Sequence, residues 1–281
     1  MHNPYVDVDG APVVCITRVG ESSVSEYIEK VLIGLGGLDR AFCPEDRILI
    51  KPNINSFHDA PAAVDPQFLA AFIDVLKASG YQHLAVAESS GRNWAPTSKV
   101  IEKKGLLSYL QSRDVPFHDL DDAEMEEVST GGDFLPRVHL PTLLQEFDRL
   151  IFLPNLKTHG NTGFTLTVKL AMGLTPQSDR ALFHRDSVAG AIADLARVVS
   201  PDLSLIDGRT AFVAGGPAEG TLARPGVLIA SADPVACDVE AVRILLQHGA
   251  REHIGVSDPY DTETIQRMSY SAPKKITVRW I

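Results

Sequence analysis

Leu150-Ile151-Phe152-Leu153-Pro154-Asn155-Leu156-Lys157-Thr158-His159-Gly160 sets an unbroken apolar run directly against an amide, a lysine, a hydroxyl and an imidazole. A short continuous apolar run reads as a strand covered on both faces, as in the parallel sheets of α/β proteins. The polar groups that follow are costly to bury without partners. Their place at the end of a core strand points to a site, because open parallel sheets hold ligands beyond the carboxyl ends of their strands.

Similar runs recur on both sides and predict strands at 13–17, 47–50, 83–87, 149–153, 203–206, 227–230 and 276–280. Amphipathic stretches between them predict helices at 24–35, 187–198 and 234–247. The clearest helix opens at Asp65-Pro66, a capping residue followed by proline at the first helical position. It carries Leu69, Phe72, Ile73 and Leu76 on one face and stops at Gly80. This alternation predicts an α/β fold with a mixed, mostly parallel sheet flanked by helices. A chain of 281 residues forms either one α/β domain over 1–281 or two lobes around a cleft. The acidic stretch Asp119–Gly132, read by default as a solvated loop, puts the candidate lobe boundary near 119–148.

Lys51 and Asn53 follow the run at 48–50, with Asn55, Ser56 and His58 close behind. Glu88 follows 84–87, Asp207-Gly208 follows 203–206, and Ser231 and Asp233 follow 228–230. Asp233-Pro234 reads first as a helix cap, and Asp207-Gly208 is also a common turn pair. A lysine directly after a strand is no turn former. Lys51 and Lys157 therefore read as an anion trap, with a plain salt bridge to Glu88 as the alternative. Lys51, Asn53, Thr158, Thr165, Asp207, Gly208 and Glu88 become candidate substrate-binding residues, and Lys169, His159 and Lys157 candidate catalytic ones.

A helix over 165–172 would put Thr165 and Lys169 on one face, among Leu166, Val168, Leu170 and Met172. Apolar surroundings lower a lysine's pKa and make it a nucleophile, base or imine former. Equally, the stem packs on the core while the ammonium reaches solvent. His159 and His184 are candidate metal ligands or acid–base groups; Asp186 is an alternative partner for His184, and His58 is a weaker third contributor. No HxxxH, HExxH or Cys/His cluster occurs, so a transition metal would need ligands from distant segments. His2, His83, His118, His139, His248 and His253 read as surface or structural residues. The glycine-rich stretch 215–220 lacks the lysine and serine of a P-loop and reads as a mobile lid.

A net charge of −10 argues against a nucleic-acid surface while leaving room for a local basic pocket. No apolar run approaches the roughly 20 residues that span a bilayer, and the acidic N-terminus does not resemble a signal peptide. The expectation is a cytoplasmic protein with a small-molecule ligand, no membrane or nucleic-acid partner, and an oligomeric state left open. Cys15, Cys43 and Cys237 form no CxxC pair, which argues against a disulfide framework or an iron–sulfur cluster.

Several motifs together resemble the family of domain of unknown function 362. They are Ile48–Asn53, Leu153–His159 with Thr165–Lys169 and Gly173, Pro201–Gly208, Gly216-Pro217 with Gly220, and Ala230–Asp238. Many members carry ferredoxin-like cysteine motifs that this chain lacks, and the family's Lys-Asn pair is here Lys169-Leu170. His159, Lys169 and His184 are also faintly similar to the spacing in lactate-racemase-type enzymes, which hold a nickel-pincer nucleotide. That likeness implies Lys169 as a covalent or electrostatic anchor, with the histidines as metal ligands or acid–base groups. The expectation is a lysine- or metal-assisted isomerase, lyase or oxidoreductase acting on an anionic or carbonyl-bearing molecule. Its rival is a non-catalytic carrier of an anionic metabolite or metal complex.

Overall fold

Side chains along the central strands alternate between two cores. Ile48 and Ile50, Leu84 and Val86, and Ile151 and Leu153 enter one; Leu49, Ala85, Ala87 and Phe152 enter the other. The unbroken apolar runs therefore reflect a sheet covered on both faces. The computed structural model describes residues 3–91, 93–94 and 96–281; His2 lies outside them.

The strands are β1 (Val13–Arg18), β2 (Ile48–Pro52), β3 (Leu84–Glu88), β4 (Phe117–Asp119), β5 (Met125–Ser129), β6 (Arg137–Pro141), β7 (Arg149–Leu153), β8 (Asn155–His159), β9 (Gly163–Thr165), β10 (Leu203–Gly215), β11 (Gly220–Ala223), β12 (Val227–Ser231) and β13 (Thr277–Trp280). The main sheet runs β13-β1-β12-β10-β7-β2-β3-β4, with β8 and β11 on β10 and β9 on β8. The pairs β10–β7, β7–β2, β2–β3, β3–β4, β10–β8 and β1–β13 are parallel; those of β12 with β1 and β10, β10–β11 and β8–β9 are antiparallel. The sheet stays open rather than closing into a barrel.

Helices α1 (Val24–Leu35), α2 (Pro66–Ala78), α3 (Thr97–Lys103) and α4 (Leu106–Gln111) pack into one core; α5 (Thr167–Leu170), α6 (Val188–Leu195) and α7 (Pro234–Leu245) pack into the other. The predicted caps are present: Asp65 Oδ1 accepts from Gln67 N at 2.9 Å and Asp233 Oδ1 from Ala236 N at 2.8 Å. All seven predicted strands occur, 149–153 with the predicted ends and the other six with shifted ones.

Four local expectations are corrected. The polar stretch 155–159, read as groups beyond the end of a core strand, is itself strand β8, and it pairs with β10 through Asp207–Asn155 and Phe212–Lys157. Thr165 ends β9 and the α-helical turn begins at Thr167, so Thr165 and Lys169 do not share a helix face. The acidic stretch contains β5, which forms a hairpin with β6, where a solvated loop was expected. Asp207-Gly208 makes no turn either, because β10 runs through it to Gly215.

Candidate functional site

The strand ends open onto a cavity of about 420 Å³. Of the residues picked from sequence, Lys51, Asn53, Glu88, Lys157, His159, Thr165, Lys169 and His184 line it. Arg180, Asn55, Ser89, Asn161, Trp94, Met172 and Pro217 join them. Thr158, Asp207 and Gly208 do not.

Each of those three sits elsewhere for a visible reason. Thr158 is buried within β8, opposite Phe164. Asp207 accepts from Arg209 Nε at 2.9 Å and Nη2 at 2.8 Å, and Asp65 shares that guanidinium at 2.9 Å. Gly208 lies so close to Val227 and Leu156 that a Cβ would meet their side chains at 2.9 and 3.0 Å. His58 is also outside the lining: its ring stacks on Phe57 at 4.9 Å and meets Trp94 edge-on at 4.8 Å.

Lys51, on β2, is fully buried, and its Nζ donates to Glu88 Oε1 at 2.6 Å and to the Pro52 carbonyl at 3.1 Å. The plain salt bridge is therefore what the fold makes of this lysine. Glu88 also accepts from Ser89 N at 2.9 Å and, through Oε2, from Ile54 N at 2.7 Å. Gly173 closes over the pair; a Cβ there would lie 2.5 Å from the ammonium. Burial lowers the Lys51 pKa, with Glu88 opposing.

Lys157, on β8, is equally buried and among the described residues has no carboxylate partner. Its Nζ donates to the Ala62 carbonyl at 2.5 Å and the Pro217 carbonyl at 3.2 Å, leaving one of three N–H donors unassigned. Burial, then the charge of Lys169, brings its pKa down to about 7. Pro217 lies in the β10–β11 turn, so the segment expected to act as a lid forms part of the wall.

Lys169 stands in α5. Asp238, fully buried on α7, accepts from the N–H groups of Thr167 at 2.8 Å and Val168 at 3.0 Å, satisfying donors that the short helix leaves free. That contact fixes the backbone bearing Lys169. Among the described residues, Lys169 Nζ has no hydrogen-bond or ion-pair partner, and burial followed by Arg180 lowers its pKa to about 8. Asp238→Asn is expected to cost about 1–3 kcal/mol in urea unfolding, the scale of a buried charged acceptor. An unchanged midpoint would show that the carboxylate does not anchor the turn.

Arg180 lies in an irregular 3₁₀ stretch with no periodicity to betray it. Its guanidinium donates to the Ser90 carbonyl, and through Nη2 to the Ser89 carbonyl at 2.8 Å and Ser89 Oγ at 2.7 Å. Among the described residues the cavity thus gathers Lys51, Lys157, Lys169 and Arg180 against one carboxylate, Glu88, in a chain of net charge −10.

His159 is held neutral: burial, then Lys169 and Lys157, then His184 and His253, depress its pKa to about 3. Asn161 N donates to its Nδ1 at 3.1 Å, so that nitrogen is the acceptor and the ring proton is assigned to Nε2. His184 is exposed and lines the cavity, with no bond to Asp186. A transition metal fits this set poorly. One His159 nitrogen is occupied and the other protonated, and no group of three or more His, Cys, Asp or Glu among the described residues is arranged to hold an ion.

The chain belongs to the family described as a domain of unknown function (DUF362), whose model matches residues 48–243. It is 28% identical over 234 residues to the thylakoid-associated protein sll1697 of Synechocystis sp., covering 79% of this chain and 70% of that protein. The lactate racemase apoprotein from Thermoanaerobacterium thermosaccharolyticum matches with a TM-score of 0.39 and 14% identity. That match covers 75% of this chain and 52% of the racemase, so this chain spans about half its length. Among the described residues no helix is long and apolar enough to cross a membrane.

Proposed function

We infer that this protein is a small-molecule enzyme whose cavity takes an anionic, carbonyl-bearing substrate, with Lys169 as the reacting or polarising group. One observation carries the reading: Lys169 lines the cavity without a counter-charge among the described residues, beside Lys157 and Arg180. Placing like charges together in a dehydrated site is unfavourable until an anion arrives. On this reading Lys157 orients the anion through its remaining N–H, and His159 donates from Nε2 as a neutral imidazole. The expected cytoplasmic location belongs to the same proposal; thylakoid association is a property in the name of the Synechocystis protein.

The carrier reading has its own support, since His159 lacks a free lone pair to act as a base. Incubating the protein with ¹³C-labelled carboxylates and oxo acids separates the two readings by NMR. Conversion lost in Lys169→Met supports the enzyme, and saturable binding without conversion supports the carrier. Lys157→Met gives an independent check: removing a dehydrated cation is expected to leave stability unchanged or raised while weakening anion binding. If wild type binds no anion, both readings fail.

A further inference from the structure

We propose that Lys169 condenses with a short oxo acid to form an imine, the substrate's carboxylate being held by Lys157. This deepens the reading above and rests on it. The distribution of partners singles out Lys169 among the cavity's cations. Lys51 is bound to Glu88, Lys157 to two carbonyls, and Arg180 to Ser89 and Ser90. Lys169 has no such contact among the described residues, and Leu170 and Met172 supply apolar wall beside it.

A lysine serving only as an electrostatic anchor works best fully charged. Here burial and Arg180 bring the pKa to about 8, so about one amine in ten is neutral at pH 7. The neutral amine is the nucleophile that imine chemistry needs. Glu88 is engaged elsewhere, its oxygens accepting from Lys51, Ser89 N and Ile54 N. The placement of Lys169 is also specific, since Asp238 clamps the turn that bears it.

The chemistry balances without a redox partner. The Lys169 nitrogen lone pair forms a bond to the carbonyl carbon while the carbonyl π pair moves onto oxygen. Both amine hydrogens then leave with that oxygen as water, and a C=N bond remains. The second amine hydrogen reaches the departing hydroxyl as a proton, while Lys157 keeps its one remaining N–H on the carboxylate. His159 Nε2–H is a neutral donor suited to the oxygen while it carries charge. The product is an iminium in its protonated form, which withdraws electrons from the neighbouring carbon and activates it for proton loss or bond cleavage.

The test is reductive trapping of wild-type protein with pyruvate and sodium cyanoborohydride, read by intact mass and peptide mapping. The expected result is one adduct per chain, heavier by pyruvic acid less one oxygen atom, on Lys169. Lys169→Arg, which keeps the charge, is expected to lose the adduct. Oxamate, which has the same shape but an amide in place of the ketone, should slow trapping at the site. An adduct spread over surface lysines, or none at Lys169, overturns the imine. If oxamate nevertheless binds by calorimetry, the anion site stands and only the covalent step is lost; if neither binds, the reading beneath it falls as well.

Discussion

Replacing Glu88 with glutamine is expected to destabilise the protein by about 3–5 kcal/mol, the scale for removing one partner of a buried ion pair. Both side chains are almost fully buried, and Lys51 would lose its only ion-pair partner among the described residues. Glutamine also presents an NH₂ where the carboxylate took Lys51, Ser89 N and Ile54 N, so at least one former donor faces another. Adding Lys51→Met to this variant should recover part of the loss by removing the stranded charge. Urea unfolding of the two single variants and the double variant measures the coupling directly. If each single replacement costs under about 1 kcal/mol, a surface-like value, the pair is not a structural element of the cavity floor.

Lys169→Met is expected to weaken anion binding by about 10- to 100-fold, corresponding to a charged hydrogen bond of about 1.5–3 kcal/mol. The pH dependence gives a second signature. Lys169, near 8, and Lys157, near 7, are charged below those values. Affinity for a fixed monoanion should therefore be greatest at lower pH and fall as pH rises through about 7 to 8. Calorimetry between those limits checks the slope. An affinity flat across that range in wild type would remove both amines from the binding site.

Apo stability should run the opposite way for these lysines. Their folded pKa values lie below the unfolded value of 10.5, so the unfolded chain binds more protons and their contribution rises with pH toward that value. Asp238, raised by burial from 3.8 to about 7, makes a contribution that falls as pH rises through that interval. Together the three groups place their least favourable contribution near neutrality.

The sheet was legible because burial on both faces writes itself as uninterrupted apolar runs. What escaped the sequence reading was structure built from polar residues. Asn155-Leu156-Lys157-Thr158-His159 has too few apolar positions to resemble a strand, yet β10 pairs with it and buries most of it. Asp207 was read as a substrate-binding candidate; Arg209 lies only two residues along β10, but nothing local shows that its guanidinium folds back onto Asp207 or that Asp65 joins it from far away in the chain. Arg180 was missed because its 3₁₀ segment has no period, and its partners, Ser89 and Ser90, lie far away in the chain. Lys157 was found because a lysine directly after a strand is no turn former, and Lys169 because a lysine among apolar neighbours is conspicuous, although the helical spacing invoked for Lys169 does not occur.

The most direct measurement is an NMR titration of ¹³Cε-labelled lysines, assigned with Lys157→Met and Lys169→Met, with and without oxamate. Two lysines are expected to titrate near 7 and 8 in the free protein, both moving upward when the anion binds. Two lysines titrating near 10.4, as free side chains do, and indifferent to oxamate would contradict it.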